Sequence, residues 1–134
     1  MRQYENAIPE YGQVLEFDAR SALAHYNRGT AYEGQGRYDE AITDYTSAIE
    51  LNPQYVDAYV NRGRAYARHE LWEKALADLD RAIQLRPTEW TAYSNRGWLH
   101  EQQGRLDLAH ADYERALTLS PDYEWLKGAL ERTR

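Results

Sequence analysis

The chain has 134 residues and a formal net charge of −6, and it contains no cysteine. Disulfides and cysteine-based zinc sites are therefore excluded, and the net negative charge disfavours binding to nucleic acid. No stretch approaches the roughly 20 apolar residues that span a membrane, and the N-terminal sequence lacks the apolar run of a signal peptide. We expect a cytoplasmic protein that takes neither nucleic acid nor a membrane as its partner.

The sequence predicts eight helices, which follow one another along a single repeat domain of residues 1–134. The pattern of residues 2–17 matches that of the second helix in the units that follow, so these residues form a half-repeat without a first helix. Three units with two helical patterns each come next, at residues 22–55, 56–89 and 90–121. Residues 122–134 match a first helical pattern and are expected to cap the stack.

A fixed period of 34 residues organises the chain. It is clearest in the triplet Asn-Arg-Gly, which recurs at residues 27–29, 61–63 and 95–97. Within each unit, apolar and small residues are spaced by three or four in two successive runs, which is typical of two amphipathic helices. The glycine of the triplet lies inside the first helix, where it costs about 1 kcal/mol relative to alanine. Its repetition indicates that a neighbouring helix approaches closely.

This pattern resembles the tetratricopeptide repeat. The resemblance covers almost the entire chain and is carried by these residues and their counterparts one and two periods later: Gly29, Tyr32, Ala41, Tyr45 and Pro53. It implies an all-α fold, a right-handed superhelical solenoid of antiparallel helix pairs with a concave face. The family usually has leucine before the glycine, whereas this chain has Arg28, Arg62 and Arg96.

These three arginines have acidic counterparts with the same period. The counterparts are Asp44, Asp78 and Asp112, which fall on the second helical pattern of each unit. Because each arginine replaces an apolar packing residue, its guanidinium needs a partner in a partly buried position. We predict that every arginine of the triplet forms a structural ion pair with an aspartate of its own or an adjacent unit.

The asparagines of the triplet are candidate peptide-binding residues. The resemblance implies that first helices line the concave groove, so that Asn27, Asn61 and Asn95 would form a ladder along it. An asparagine side chain offers a donor and an acceptor to the backbone of an extended peptide. Neighbouring side chains would supply specificity: Tyr26, Thr30, Arg64, Arg68 and Trp98. Alternatively, asparagine is simply common at this position in the family and holds helix to helix.

Some family members grip the C-terminal carboxylate of heat-shock chaperones with lysine, asparagine and arginine on the first and third repeats. The matching positions of this chain hold Tyr26, Thr30, Thr91 and Asn95, and only the middle asparagine, Asn61, agrees. The resemblance therefore does not imply chaperone-tail binding.

The leading hypothesis is a non-catalytic interaction scaffold that binds a peptide or partner segment in the concave groove. No arrangement of residues with catalytic or metal-ligand spacing is found, and no cofactor is predicted. The alternative hypothesis is self-assembly, in which the C-terminal helix of one molecule docks on the N-terminal helix of the next. Its contacts would involve Trp125, Leu126 and Leu130 at one end, and Tyr4, Ile8 and Tyr11 at the other.

Overall fold

The computed structural model describes residues 2–134, with side chains from residue 7 onward, so the side chain of Tyr4 lies outside the described part. This part of the chain forms eight helices: α1 (Arg2–Phe17), α2 (Ala22–Gly34), α3 (Tyr38–Leu51), α4 (Val56–Arg68), α5 (Trp72–Leu85), α6 (Trp90–Gln102), α7 (Leu106–Leu119) and α8 (Glu124–Arg132). The all-α prediction is confirmed. We call α2, α4, α6 and α8 the first helices, and α1, α3, α5 and α7 the second helices.

A tight turn reverses the chain between the two helices of each unit. Its central residue is left-handed in all three units, with φ of 76° at Gly36, 58° at Glu70 and 76° at Gly104. A side chain is disfavoured in this conformation, so Glu70 carries a local strain that the two glycines avoid. In the middle unit, the amide of Leu71 closes the turn by donating to the Tyr66 carbonyl at 3.0 Å.

Glycine inside the first helix allows the second helix of the same unit to pack closely. A Cβ atom at Gly29 would lie 2.7 Å from the ring of Tyr45, and one at Gly97 would lie 2.8 Å from the ring of Tyr113. Fully buried alanines complete these interfaces: Ala41, Ala48, Ala75, Ala82, Ala109 and Ala116. The close approach predicted from the repeated glycine is therefore present in the structure.

The first helices also pack on one another. α4 contacts both α2 and α6 directly, and each second helix packs against the first helices that flank it. We call the surface formed by the first helices the inner face. The described residues include no helix that meets the length and hydropathy requirements of a membrane span.

Candidate functional site

Each arginine of the triplet lies opposite an aspartate on the second helix of its own unit. The pairs are Arg28–Asp44, Arg62–Asp78 and Arg96–Asp112, and in each the Nε and Nη2 groups donate to the two carboxylate oxygens at 2.7–2.9 Å. In two of the three, Nη1 reaches the preceding unit. Arg62 Nη1 donates to Thr46 Oγ1 at 3.2 Å, and Arg96 Nη1 donates to Asp80 Oδ1 at 2.9 Å. These arginines thus bridge helices and have few donors left for a ligand.

Burial and hydrogen bonding between the partners act together on the charges of these pairs. Only 7% of the Asp78 side chain is exposed. Burial raises the pKa of Asp78, and the hydrogen bond and positive charge of Arg62 act against that rise. The hydrogen bond to Asp112 raises the pKa of Arg96. The Asp78 carboxylate therefore depends on Arg62 to remain ionised inside the protein.

A hydrogen-bond network covers the inner face between α2 and α4. Asn61 Nδ2 donates to Tyr26 Oη at 3.0 Å, and Arg64 Nη2 donates to Asn61 Oδ1 at 3.3 Å. Arg64 Nε also donates to Glu33 at 2.6 Å, and Tyr45 Oη donates to the other oxygen of Glu33 at 2.7 Å. Burial and the nearby Asp57 carboxylate raise the pKa of Tyr26 to about 12. The network fixes Asn61 while leaving it one amide hydrogen for a ligand.

The three asparagines of the triplet occupy equivalent positions but have different partners. Asn95 Nδ2 donates to the Thr91 carbonyl one turn earlier, at 2.8 Å, which leaves its side-chain oxygen without a donor among the described residues. The side chain of Asn27 forms no hydrogen bond within the described part of the chain. The backbone carbonyl of Asn27 accepts a hydrogen bond from Thr30 Oγ1 at 2.7 Å. The predicted ladder is therefore three amides with unequal hydrogen-bonding capacity.

A pocket of about 430 Å³ opens on the inner face among α4, α6 and α8. Four of the residues singled out by the sequence meet in its lining: Arg64, Arg68, Asn95 and Trp98. The other four lie elsewhere on α2 and α4: Tyr26, Asn27, Thr30 and Asn61. The candidate site thus has two parts, a polar network near α2 and a pocket towards α8.

Comparison with known proteins identifies the repeat. A family model described as "Tetratricopeptide repeat" matches residues 62–132, more than half of the chain. Further models of the same description match residues 22–55 and 45–77, and one described as "TPR repeat" matches residues 3–36. The chain belongs to the tetratricopeptide repeat family. No curated protein sequence matches it.

Solved tetratricopeptide structures are similar over most of the chain. The first TPR of Spaghetti (RPAP3), bound to the HSP90 peptide SRMEEVD, is 34% identical, with a TM-score of 0.82 over 87% of this chain and 92% of that chain. The Arabidopsis OM64 TPR domain is 29% identical, with a TM-score of 0.82 over 85% and 94%. MamA shares the fold at 24% identity, with a TM-score of 0.89 over 97% of this chain and 76% of that one. Tetratricopeptide repeat domains are protein-interaction modules, and this chain is a module of that family.

The pocket lies where the middle tetratricopeptide repeat departs from its neighbours. Glu33 and Tyr45 of the first repeat and Arg64 of the second form a linked set that joins α2 to α4. The same set recurs two periods later: Tyr113 Oη donates to Glu101 at 2.7 Å, and Arg132 Nε donates to Glu101 at 2.9 Å. One period after the first set, the equivalent residues are Leu79, Ala67 and Trp98, and all three line the pocket. An apolar surface thus replaces the polar link between tetratricopeptide repeats at this position.

Sequence reasoning missed most of the aromatic lining of the pocket. Trp90 is the first residue of α6. Tyr123 directly precedes α8, and Trp125 lies in the first turn of α8. The ring centroids of Trp90 and Tyr123 are 4.9 Å apart, and those of Tyr123 and Trp125 are 6.2 Å apart. The guanidinium carbon of Arg132 lies 5.4 Å from the centroid of the Trp125 ring. The signal available in the sequence was the occurrence of three tryptophans in the last part of the array, Trp90, Trp98 and Trp125.

Two residues assigned to self-assembly have other surroundings in the structure. Leu126 is fully buried in the core between α7 and α8, so it is not available to a second molecule. Trp125 is 41% exposed, lines the pocket and packs edge-on against Tyr113 at 5.6 Å. The predicted C-terminal contact surface is therefore used largely within this chain.

Proposed function

We propose that this tetratricopeptide domain binds an extended peptide or partner segment along its inner face. The observation that carries the proposal is the pocket of about 430 Å³ in which Arg64, Arg68, Asn95 and Trp98 meet. Its volume lies in the range of about 300–1,000 Å³ that is typical of ligand sites. Aromatic and arginine side chains are also the types that contribute most to binding energy at interfaces.

The inner face offers hydrogen-bonding groups along the path of such a segment. Asn61 has one free amide hydrogen, and Asn95 has a free side-chain oxygen among the described residues. An extended backbone needs both a donor and an acceptor, which these two side chains supply one repeat apart. Because their own bonds to Tyr26 and to the Thr91 carbonyl already fix them, little side-chain entropy is lost on binding.

The similarity to the first TPR of RPAP3 supports a peptide ligand, since that domain holds a heptapeptide of HSP90. The ligand of the present chain need not be the same. The positions at which some family members grip a chaperone carboxylate hold Tyr26, Thr30, Thr91 and Asn95 here. We infer a peptide-binding domain whose ligand is selected by its own groove residues.

Selection of a random dodecapeptide library on the immobilised domain tests this function. Enriched peptides should bind the wild-type domain in calorimetry and should lose about fivefold or more in affinity for Asn61→Ala. The matched control is Asn52→Ala, because Asn52 is exposed at the end of α3, where its side chain accepts only from the Gln54 amide. Absence of enriched peptides, or equal affinity for both variants, would refute binding along the inner face.

Head-to-tail self-assembly is opposed by the residues at the two ends. Docking α8 of one molecule on α1 of the next would rebuild a tetratricopeptide unit, in which the first helix needs glycine opposite a large side chain. The equivalent position of α8 is Glu131, and it would face Tyr11. The ion pair would also be lost, because Leu130 and Glu10 stand at the arginine and aspartate positions.

Light scattering over a wide concentration range tests this alternative. We expect a constant mass near 15.7 kDa. A mass that rises with concentration for the wild type, and stays constant for Trp125→Glu, would instead favour assembly through α8.

A further inference from the structure

We propose that the inner-face pocket is the anchor site for one bulky apolar side chain that is followed in the partner segment by a carboxylate. This inference rests on the proposed peptide-binding function and names the ligand chemistry of its central site. It follows from three features of the pocket: its origin in the middle repeat, the aromatic walls, and the charges in its lining.

The apolar character of the pocket arises from a matched replacement of three residues. The flanking positions of the array hold a tyrosine hydroxyl, a glutamate and an arginine that satisfy one another. In the middle, Leu79, Ala67 and Trp98 present no charge and no hydroxyl. Ala67 is also much smaller than the glutamate that it replaces. Space and apolar surface therefore coincide at one position of an otherwise polar inner face.

Aromatic rings set the shape of this space. Trp90 and Tyr123 pack with ring centroids 4.9 Å apart, and Trp125 follows at 6.2 Å from Tyr123. Trp98 lines the pocket from α6 and contacts the ring of Trp72 at 6.4 Å on the core side. Rings held in this way lose little freedom when a ligand binds, and they favour a flat or branched apolar side chain.

The charges in the pocket lining determine which kind of residue can follow that apolar side chain in the partner segment. Aromatic cages often hold cationic groups, but Arg64 and Arg68 line this pocket, and none of the described carboxylates does. Arg64 is paired with Glu33 at 2.6 Å, whereas Arg68 is exposed and forms no ion pair within the described part of the chain. A cation would be repelled, and a carboxylate could accept a forked hydrogen bond from Arg68. Arg68 therefore gives the pocket a local positive charge in a protein of net charge −6.

Calorimetry with a synthetic peptide tests the inference. The probe is acetyl-Ser-Gly-Phe-Glu-Asp-Gly-Ser-amide, with two matched peptides in which either Phe is replaced by Ala or the two acids are replaced by Gln and Asn. The decisive variant is Ala67→Glu/Leu79→Tyr/Trp98→Arg, which copies the polar set that the chain already uses on both sides of the pocket. Its thermal unfolding midpoint should stay near that of the wild type, because the copied arrangement is native to this fold.

We expect the probe to bind the wild type at least tenfold more tightly than it binds the triple variant, and the Phe-to-Ala peptide to lose a similar factor. Arg68→Gln should weaken the probe about threefold or more and should not affect the Gln/Asn peptide. Its matched control, Arg81→Gln, should change nothing, since Arg81 is exposed on α5 and bonds only to Gln84.

Two results would overturn the anchor site: failure of the probe to bind the wild type, or equal binding to the wild type and the triple variant. Peptides enriched from the random library separate this inference from the function on which it rests. If those peptides bind the triple variant normally and still lose affinity for Asn61→Ala, the groove function stands and the anchor site falls. If the library yields no groove-dependent peptide, both fall.

Discussion

Replacing Arg62 by methionine removes the charge that faces Asp78 while keeping much of the side-chain length. In the native structure, 16% of the Arg62 side chain and 7% of the Asp78 side chain are exposed. Removing one partner of a buried ion pair costs about 3–5 kcal/mol, because the other charge stays buried alone. We expect the lower end, about 3 kcal/mol, since water reaches part of Arg62. For a domain of this size, such a loss lowers Tm by about 10 °C.

Urea unfolding of the two proteins measures this difference, and its pH dependence identifies the cause. Burial already raises the pKa of Asp78, and loss of the Arg62 hydrogen bond should raise it further. A carboxyl whose pKa is higher in the folded state binds its proton more tightly there, so folding is favoured as the pH falls. The deficit of Arg62→Met should therefore shrink between pH 7 and pH 5.

The matched control is Arg81→Met on the same second helix as Asp78. Arg81 is exposed and bonds only to Gln84, so its loss should stay within the surface range of about 0.5 kcal/mol. A loss of that small size for Arg62→Met would refute the reasoning. A large loss that is the same at pH 7 and pH 5 would mean that packing, rather than the stranded carboxylate, accounts for it.

Two further predictions concern packing and pH. Gly97→Ala should destabilise the domain by about 1–3 kcal/mol in urea unfolding, because the new Cβ would lie 2.8 Å from the Tyr113 ring. A Cβ at Gly12 would meet no atom within 4 Å, so Gly12→Ala should instead stabilise the domain by up to about 1 kcal/mol through helix propensity. Equal effects at both sites would contradict the packing argument. Burial lowers the pKa of His100, against the opposing charge of Asp112. Stability that His100 contributes in its neutral form should be lost as the pH falls below about 6.5, its ordinary pKa. His100→Tyr, which restores the residue of the first two units, should reduce the loss of stability between pH 7 and pH 5, and an unchanged loss would exclude His100 as its source.

The helices of this chain were predictable because their signals are local. Apolar spacing of three and four residues requires no knowledge of distant contacts, and the 34-residue period confirmed each helix pattern against its copies. The recurrence of Arg62 in step with Asp78 likewise placed them on neighbouring helices. That step needed only the geometry of a repeated helix pair.

The pocket was harder to predict, because it depends on three residues in different helices. Ala67, Leu79 and Trp98 are unremarkable one at a time, and each is apolar or small like many core residues. Only the knowledge that Tyr45, Glu33 and Arg64 join two repeats gives the replacement its meaning. The burial of Leu126 was missed for a related reason, since an isolated capping helix does not reveal which of its apolar side chains face inward. In both cases the deciding contact joins separate units.

The alternation of polar and apolar links along the inner face also affects how the array responds to ionic strength. α2 is joined to α4, and α6 to α8, by a glutamate–arginine pair, and in both pairs the arginine is more than one-third exposed. Salt screens the attraction within such exposed ion pairs. The apolar contact around Ala67 and Trp98 involves no charges and is not screened. In a repeat array, neighbouring units stabilise one another pair by pair, so added salt should weaken the inner-face links of α2 to α4 and of α6 to α8 more than the link of α4 to α6. Among the three links of the inner face, the apolar link beside the pocket is therefore the one that changes least with salt.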